Sequence, residues 1–317
     1  MSIALFTHTA CLEHDQGPGH PESPDRLRVV LKALAGPDFA GLQREAAPLA
    51  TEAQLRLAHP ADYVTEILAI RPKPGESVRL DADTVMSAGS AEAASRAAGG
   101  ACAAVDAVMA GQVAAAFVAV RPPGHHAEPS QAMGFCLFGS VAIAALHARE
   151  RWGLRRIAVV DFDVHHGNGS QEILQNDPEI FFASSHQSPC YPGTGAASES
   201  GIAHNVVNVP LAPGSGSDRF RQAWSDTILP SLDRFAPELI LVSAGFDAHR
   251  ADPLAQLELE TDDFRWVTEA LVAIADRRCG GRIVSVLEGG YDLDALACSA
   301  AAHVRALLRH PASSDAV

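Results

Sequence analysis

Four short segments carry most of the residues in this chain that could do chemistry. They are Arg121-Pro-Pro-Gly-His125-His126, Asp161-Phe-Asp163-Val-His165-His166-Gly-Asn168-Gly169, Ser243-Ala-Gly-Phe-Asp247-Ala-His249 and Glu288-Gly-Gly-Tyr291. Asp163 and His165 lie two apart in an extended segment, so their side chains point the same way and can grip one ion. Asp247 offers a third ligand from a different segment. Two carboxylates and one imidazole, with no sulfur, leave a zinc position open for water and a substrate carbonyl, which is how a catalytic zinc site is built. One imidazole of His125-His126, presented by a stiff Pro-Pro-Gly turn, could take a proton from the attacking water and later give one to a leaving amine; the other could act as its electrostatic partner. Tyr291, after two glycines, could donate its O–H to the oxyanion. Taken singly each signal is ordinary: D-x-H also fits two unrelated loop residues, the His pair fits a surface, and the tyrosine fits a plain loop. The argument lies in their convergence.

That convergence depends on the elements that position them. Each segment follows a short apolar run, at 116–120, 157–160, 239–242 and 283–287, and similar runs occupy 3–6, 180–183 and 206–209. Runs of four to eight residues, β-branched and apolar without alternation, read as strands of a parallel sheet covered on both faces. Helix candidates lie between them at 24–34, 61–70, 88–110, 140–151, 218–235, 262–276 and 294–308, with Asp218 and Asp262 near helix starts, where a carboxylate can satisfy free N–H groups. The alternation predicts an α/β fold, a doubly wound and mostly parallel sheet flanked by helices. Ligands of such sheets bind beyond the carboxyl ends of the strands, which is where all four segments fall. A single catalytic domain over 1–317 is expected, with loops at 72–75 and 193–201 and a frayed tail at 311–317.

Composition narrows the class. The chain has 317 residues, 47% hydrophobic and 20% charged, the make-up of a soluble globular protein. A chain this long buries roughly three quarters of its unfolded surface, so a metal would serve chemistry rather than folding. The net charge of −14 argues against nucleic acid, whose phosphates call for a basic face, and suits a cationic substrate. Six cysteines, Cys11, Cys102, Cys136, Cys190, Cys279 and Cys298, contain no C-x-x-C pair and imply neither a thiolate zinc module nor a disulfide framework. No signal peptide or membrane span is evident, so a cytoplasmic location is expected, with no membrane partner.

Together these residues resemble the histone-deacetylase superfamily, with its arginase-like α/β fold, and within it the bacterial class II-like deacetylases, acetylpolyamine amidohydrolases and acetoin-utilisation-type proteins. RPPGHH at 121–126, GFC at 134–136, DFDVHHGNG at 161–169, AGFDAH at 244–249 and EGGY at 288–291 stand in family order, over about residues 19–301. The resemblance implies one catalytic zinc held by Asp163, His165 and Asp247, with His126 as general base and acid and His125 stabilising charge beside it. Asp161 would orient His125, and Tyr291 would polarise the scissile carbonyl. Asn168 stands where class I enzymes carry aspartate and class II relatives carry asparagine. Phe135 and Tyr191 match the walls of the family's acyl-lysine tunnel, with Gly134, Gly289 and Leu254 as further substrate-binding positions, and Arg26 matches an arginine near an internal acetate pocket. His20 reads as a structural loop residue. A structural potassium site is implied at Asp161, Ser184 and Ser185, with backbone oxygens of Asp163 and His165.

The expected activity is thus a zinc-dependent deacetylase, an amidohydrolase acting on linear amides of acyl-lysine or small acylated amines. Acetylpolyamine deacetylation is the alternative. Polyamine-specific relatives carry a rim glutamate where this chain has Leu254, which favours acetyl-lysine-like substrates, although Asp83 could take the glutamate's place. An arginase-type pair of manganese ions would need further aspartates that Asp247-Ala-His249 and the residues after His165 do not supply. A non-catalytic acyl-lysine binder would be expected to have lost Tyr291, the base or a ligand.

Overall fold

The computed structural model describes residues 2–308; the tail expected at 311–317 lies outside them. Its strands are β1 (Ile3–Thr7), β2 (Leu42–Ala46), β3 (Val78–Arg79), β4 (Val85–Met86), β5 (Ala115–Val118), β6 (Ile157–Asp161), β7 (Ile180–Gln187), β8 (Val206–Leu211), β9 (Leu239–Ala244) and β10 (Ile283–Leu287). Eight form one sheet in the order β2-β1-β5-β10-β9-β6-β7-β8, and every pairing in it is parallel. Strands β3 and β4 make a small antiparallel pair. Every residue of β5, β6, β7, β9 and β10 is buried, because helices cover both faces. That is the setting in which unbroken apolar runs are stable as strands.

The expected doubly wound α/β fold is present, with its seven anticipated strands. The eighth, β2, has the sequence Leu-Gln-Arg-Glu-Ala with only Leu42 buried. As an edge strand it needs little apolar surface, and charged side chains there deter pairing with other chains. The expected 218–235 helix runs as three abutting segments, Ser217–Ala223, Trp224–Ile228 with a wider π-turn, and Leu229–Phe235. Asp218 and Asp262 both sit in first turns, yet the capping at Thr261–Cys279 comes from Asp263, which accepts from the Glu260 N–H at 2.9 Å. Asp262 instead pairs with Arg221 and Arg265. A helix at Asn168–Leu174, absent from the sequence reading, begins on a polar Asn-Gly-Ser-Gln stretch. No helix among the described residues is long and apolar enough to cross a membrane.

Fully buried imidazoles also occur away from the four segments, and His303 is one of them. His303, on the helix Leu293–Leu308, is hydrogen-bonded to Thr268 Oγ1 at 2.6 Å and to Ser285 Oγ at 2.8 Å. Phe117, Phe162 and Phe246 surround it edge-on at 5.6–5.8 Å. Burial pushes its pKa down to about 3. A depressed histidine contributes stability that is fully present above its unfolded pKa of about 6.5 and lost as pH falls toward the folded value. Between pH 7.5 and 5.0 the loss assigned to His303 is on the order of 2 kcal/mol. Urea unfolding of wild type and His303→Gln at both pH values should show the drop in stability smaller by about that amount in the variant. An equal drop in both would mean that His303 titrates normally.

Candidate active site

Strands β5, β10, β9 and β6 are neighbours at the centre of the sheet, and they are the four strands that precede the four segments. In register, Val118 lies beside Val286, Leu287 beside Ala244, and Asp161 beside Ser243. The strands therefore end at one level, and their loops open side by side on the carboxyl edge.

Asp163, His165 and Asp247 meet there, all buried, with one ligand atom from each lying within 4.8 Å of the others. His165 Nδ1 is 3.1 Å from Asp163 Oδ1 and 3.2 Å from Asp247 Oδ2. The remaining oxygens are occupied: Asp163 Oδ2 accepts from the Gly289 N–H at 2.8 Å and Asp247 Oδ1 from the Val164 N–H at 2.9 Å. Asp247 Oδ2 is buried with no hydrogen-bond partner. Burial opposes a charge on His165, but Asp163 and Asp247 outweigh it and push the imidazole well above its usual pKa. The same three lone pairs suit a divalent cation, and their O, N, O character without sulfur fits zinc.

Beside this cluster His125 Nδ1 is hydrogen-bonded to Asp161 Oδ2 at 2.9 Å, while Nε2 lies 3.7 Å from Asp163 Oδ1. Burial disfavours its charge, yet Asp163 and Asp161 outweigh that cost and push its pKa up to about 10. His126 faces the opposite balance. Burial, together with His125 and His165, holds it well below the ordinary value, and its Nδ1 is 2.7 Å from Asn168 Oδ1. The pKa values of the two imidazoles, 4.0 Å apart between ring centres, are thus driven in opposite directions. Burial also holds the Tyr291 hydroxyl well above its usual pKa, against the nearby Arg26, so it remains an O–H donor. The Arg26 guanidinium lies 4.7 Å from the centre of the Tyr291 ring.

A cavity of about 210 Å³ opens onto these groups, lined by Asp83, His126, Gly134, Phe135, His165, Tyr191, Leu254 and Tyr291. Phe135 adopts φ 70°, a conformation that side chains seldom take, and is anchored by its N–H to Thr84 Oγ1 and by the edge of His20. Gly134 lies so close to the His126 ring that a Cβ would overlap it. Gly289, expected as a substrate-binding residue, is not in the cavity lining. It packs beneath the metal cluster, where a Cβ would overlap Asp247 Oδ2 and Asp163 Oδ2. Ser184 and Ser185 lie on β7 next to Asp161, but their hydroxyls are engaged by His186 and by the Trp224 indole.

Three buried carboxylates were not singled out from the sequence. Glu22 takes both Arg121 and Arg26; burial opposes its charge, but Arg121 chiefly holds its pKa well below normal. Arg26 in turn donates to the Gly290 and Glu288 carbonyls, and so braces the Tyr291 loop. Glu288 accepts from the Gly124 and His125 N–H groups. Asp252 Oδ2 accepts from the Tyr291 N–H at 2.7 Å while Oδ1 accepts from the Leu254 N–H at 3.0 Å, so one carboxylate ties two cavity walls together. Glu288 stands in the EGGY segment and Asp252 two residues before Leu254, but the backbone groups of Tyr291, Gly124 and His125 that they hold are not evident from the sequence.

The Gly289 packing has a direct consequence. Gly289→Ala should push the two carboxylates apart, so that elemental analysis finds little zinc on a protein that still melts cooperatively. Full zinc occupancy would show that the cluster tolerates the methyl group.

The histone deacetylase domain matches residues 20–307. A histone deacetylase-like amidohydrolase of Pseudomonas aeruginosa is 42% identical over 313 residues, covering 91% of this chain and 81% of its own. A probable deacetylase of Archaeoglobus fulgidus is 37% identical over 301 residues, covering 93% and 82%. The crystal structure of the HDA15 HD domain superposes with a TM-score of 0.91 at 34% identity, over 100% of this chain and 90% of that one. A sheet whose four central strands present this set of His, Asp and Tyr residues, matched over nearly the whole chain, places the protein in the histone deacetylase family.

Proposed function

We propose that the protein is a zinc-dependent deacetylase that removes an acetyl or other short acyl group from an acyl-lysine or a small acylated amine. The observation that carries this reading is that His165, which meets Asp163 and Asp247 in one buried cluster, lines a narrow cavity together with His126 and Tyr291. Among the described residues this is the one group of three or more His, Cys, Asp or Glu side chains that converges as a metal site, which favours a single ion over an arginase-type pair. A zinc ion held there would polarise the acyl carbonyl and acidify the attacking water.

The chain's own residues supply the rest. Neutral His126 can take the water's proton and return it to the departing amine, a role that an imidazolium could not begin. His125, kept cationic by Asp161 and Asp163, offers positive charge where the tetrahedral oxyanion grows, and Tyr291 donates to the same oxygen. Phe135 and Tyr191 wall the cavity against water and leave room for a linear chain. Backbone oxygens around Asp161, Asp163, His165, Ser184 and Ser185 would hold a structural potassium ion under the same reading.

Tyr291→Phe should retain zinc and lose about 10²–10³ in kcat on an acetyl-lysine peptide. A near-wild-type kcat would mean that another group polarises the carbonyl. Leu254 in the cavity wall offers contact without charge, which favours acetyl-lysine-like substrates. Asp83 in the same lining supports the second reading, acetylpolyamine deacetylation, since it could pair with a distant ammonium. Comparing kcat/KM for an acetyl-lysine peptide with N-acetylputrescine and N8-acetylspermidine separates them. A tenfold advantage for either polyamine, about 1.4 kcal/mol, would overturn the preference drawn from Leu254. Leu254→Glu should move selectivity toward the polyamine.

A further inference from the structure

The amide of Asn168 has two ends, and only one of them can serve a general base. Its Oδ1 faces His126 Nδ1 at 2.7 Å. Its Nδ2 faces Glu128 Oε1 at 2.8 Å and Met133 Sδ at 3.4 Å. An ionised carboxylate accepts and never donates, and a thioether only accepts, weakly. The NH₂ end must therefore turn toward Glu128 and Met133, and the carbonyl toward His126. A carbonyl opposite Nδ1 requires His126 to carry its proton on Nδ1, which leaves Nε2 with a free lone pair. The flipped amide would place N–H against Nδ1 and force the proton to Nε2, where the imidazole could accept nothing from a water in the cavity.

The backbone keeps Glu128 in place. Its N–H donates to the Gln131 carbonyl at 3.0 Å across a short bridge, directly after the Gly124–Ala127 turn that presents the two histidines. Glu172, one helical turn beyond Asn168, also faces Glu128, and desolvation and that neighbouring carboxylate raise its pKa from the ordinary value.

We propose that Glu128 is a positioning residue for the deacetylation reaction: it fixes the direction of the Asn168 amide and, through it, the Nδ1–H tautomer of His126. This rests on His126 being the general base. It also explains why asparagine suits position 168 in this chain, because an aspartate there would set two carboxylates against each other.

The test is a charge-complementation series in the zinc-loaded protein. Asn168→Asp should lower kcat on an acetyl-lysine peptide by about tenfold or more, within the 10²–10⁴ that acid–base catalysis supplies, with little change in KM. Adding Glu128→Gln should recover most of the loss, since the new amide can donate to the new carboxylate. A double variant no faster than Asn168→Asp would overturn the proposal. If Asn168→Asp does not fold, Glu128→Leu alone decides, since its side chain can accept nothing from the Asn168 amide. Its ¹⁵N spectrum should show His126 shared between tautomers, with a reduced kcat and an unchanged melting temperature; a single Nδ1–H tautomer at wild-type kcat would overturn the proposal. The reading of the site fails separately: a zinc-loaded wild type with no turnover on any acylated amine removes the deacetylase, whereas an active wild type with no complementation removes only the role of Glu128.

Discussion

The constraint on which the rest of the structure depends is the burial of three electron-rich groups, Asp163, His165 and Asp247, around one point. Two carboxylates this close repel each other, and taking them out of water costs several kcal/mol per ion. The fold tolerates them by giving each outer oxygen a backbone N–H, from Gly289 and Val164, and by leaving the inner lone pairs for a cation. Much of the surrounding architecture follows from that need. Gly289 is a glycine because there is no room above the carboxylates. The pKa of His125 is raised because it sits between Asp161 and Asp163. His126, buried beside His125 and hydrogen-bonded to a neutral amide, is held well below the ordinary value.

A parallel sheet is well suited to hold such a cluster. Its central strands are buried on both faces and end at one level, so short loops from four neighbouring strands bring unlike side chains into contact without a flexible arm. A second layer of buried ion pairs stiffens the loops. Glu22 with Arg26 and Arg121 sits behind the Tyr291 loop, and Asp252 clasps the backbone of Tyr291 and Leu254 together. Such groups are costly to bury, and removing one partner would strand the others. Their effect is to hold the cavity walls on either side of the Gly289-Gly290 turn, where Gly290 adopts φ 121°.

The sheet was legible because the runs that open its inner strands are nearly pure Val, Ile, Leu, Ala and Phe, as expected of strands covered on both faces. Strand β2 was not legible, since an edge strand with one buried residue looks like a polar loop. The residues that meet at the carboxyl edge could be picked out because each follows an apolar run with little intervening chain. Asn168 was visible as a residue but not as the start of a helix, and Glu128 was not visible at all. What a carboxylate does depends on which N–H or amide faces it, and Asp252, Glu288 and Glu128 face groups far away in the chain. Gly289 shows the same limit: the motif marked its importance, and only packing shows that it supports the carboxylates rather than lining the cavity.

The most direct test of this account is to strip the protein with a chelator and titrate zinc back while following deacetylation of a fluorogenic acetyl-lysine peptide. If the buried cluster is the catalytic metal site, the stripped protein is inactive and activity rises linearly to a plateau at one zinc per chain. Full activity in the stripped protein, or a plateau reached only at two ions per chain, would contradict it.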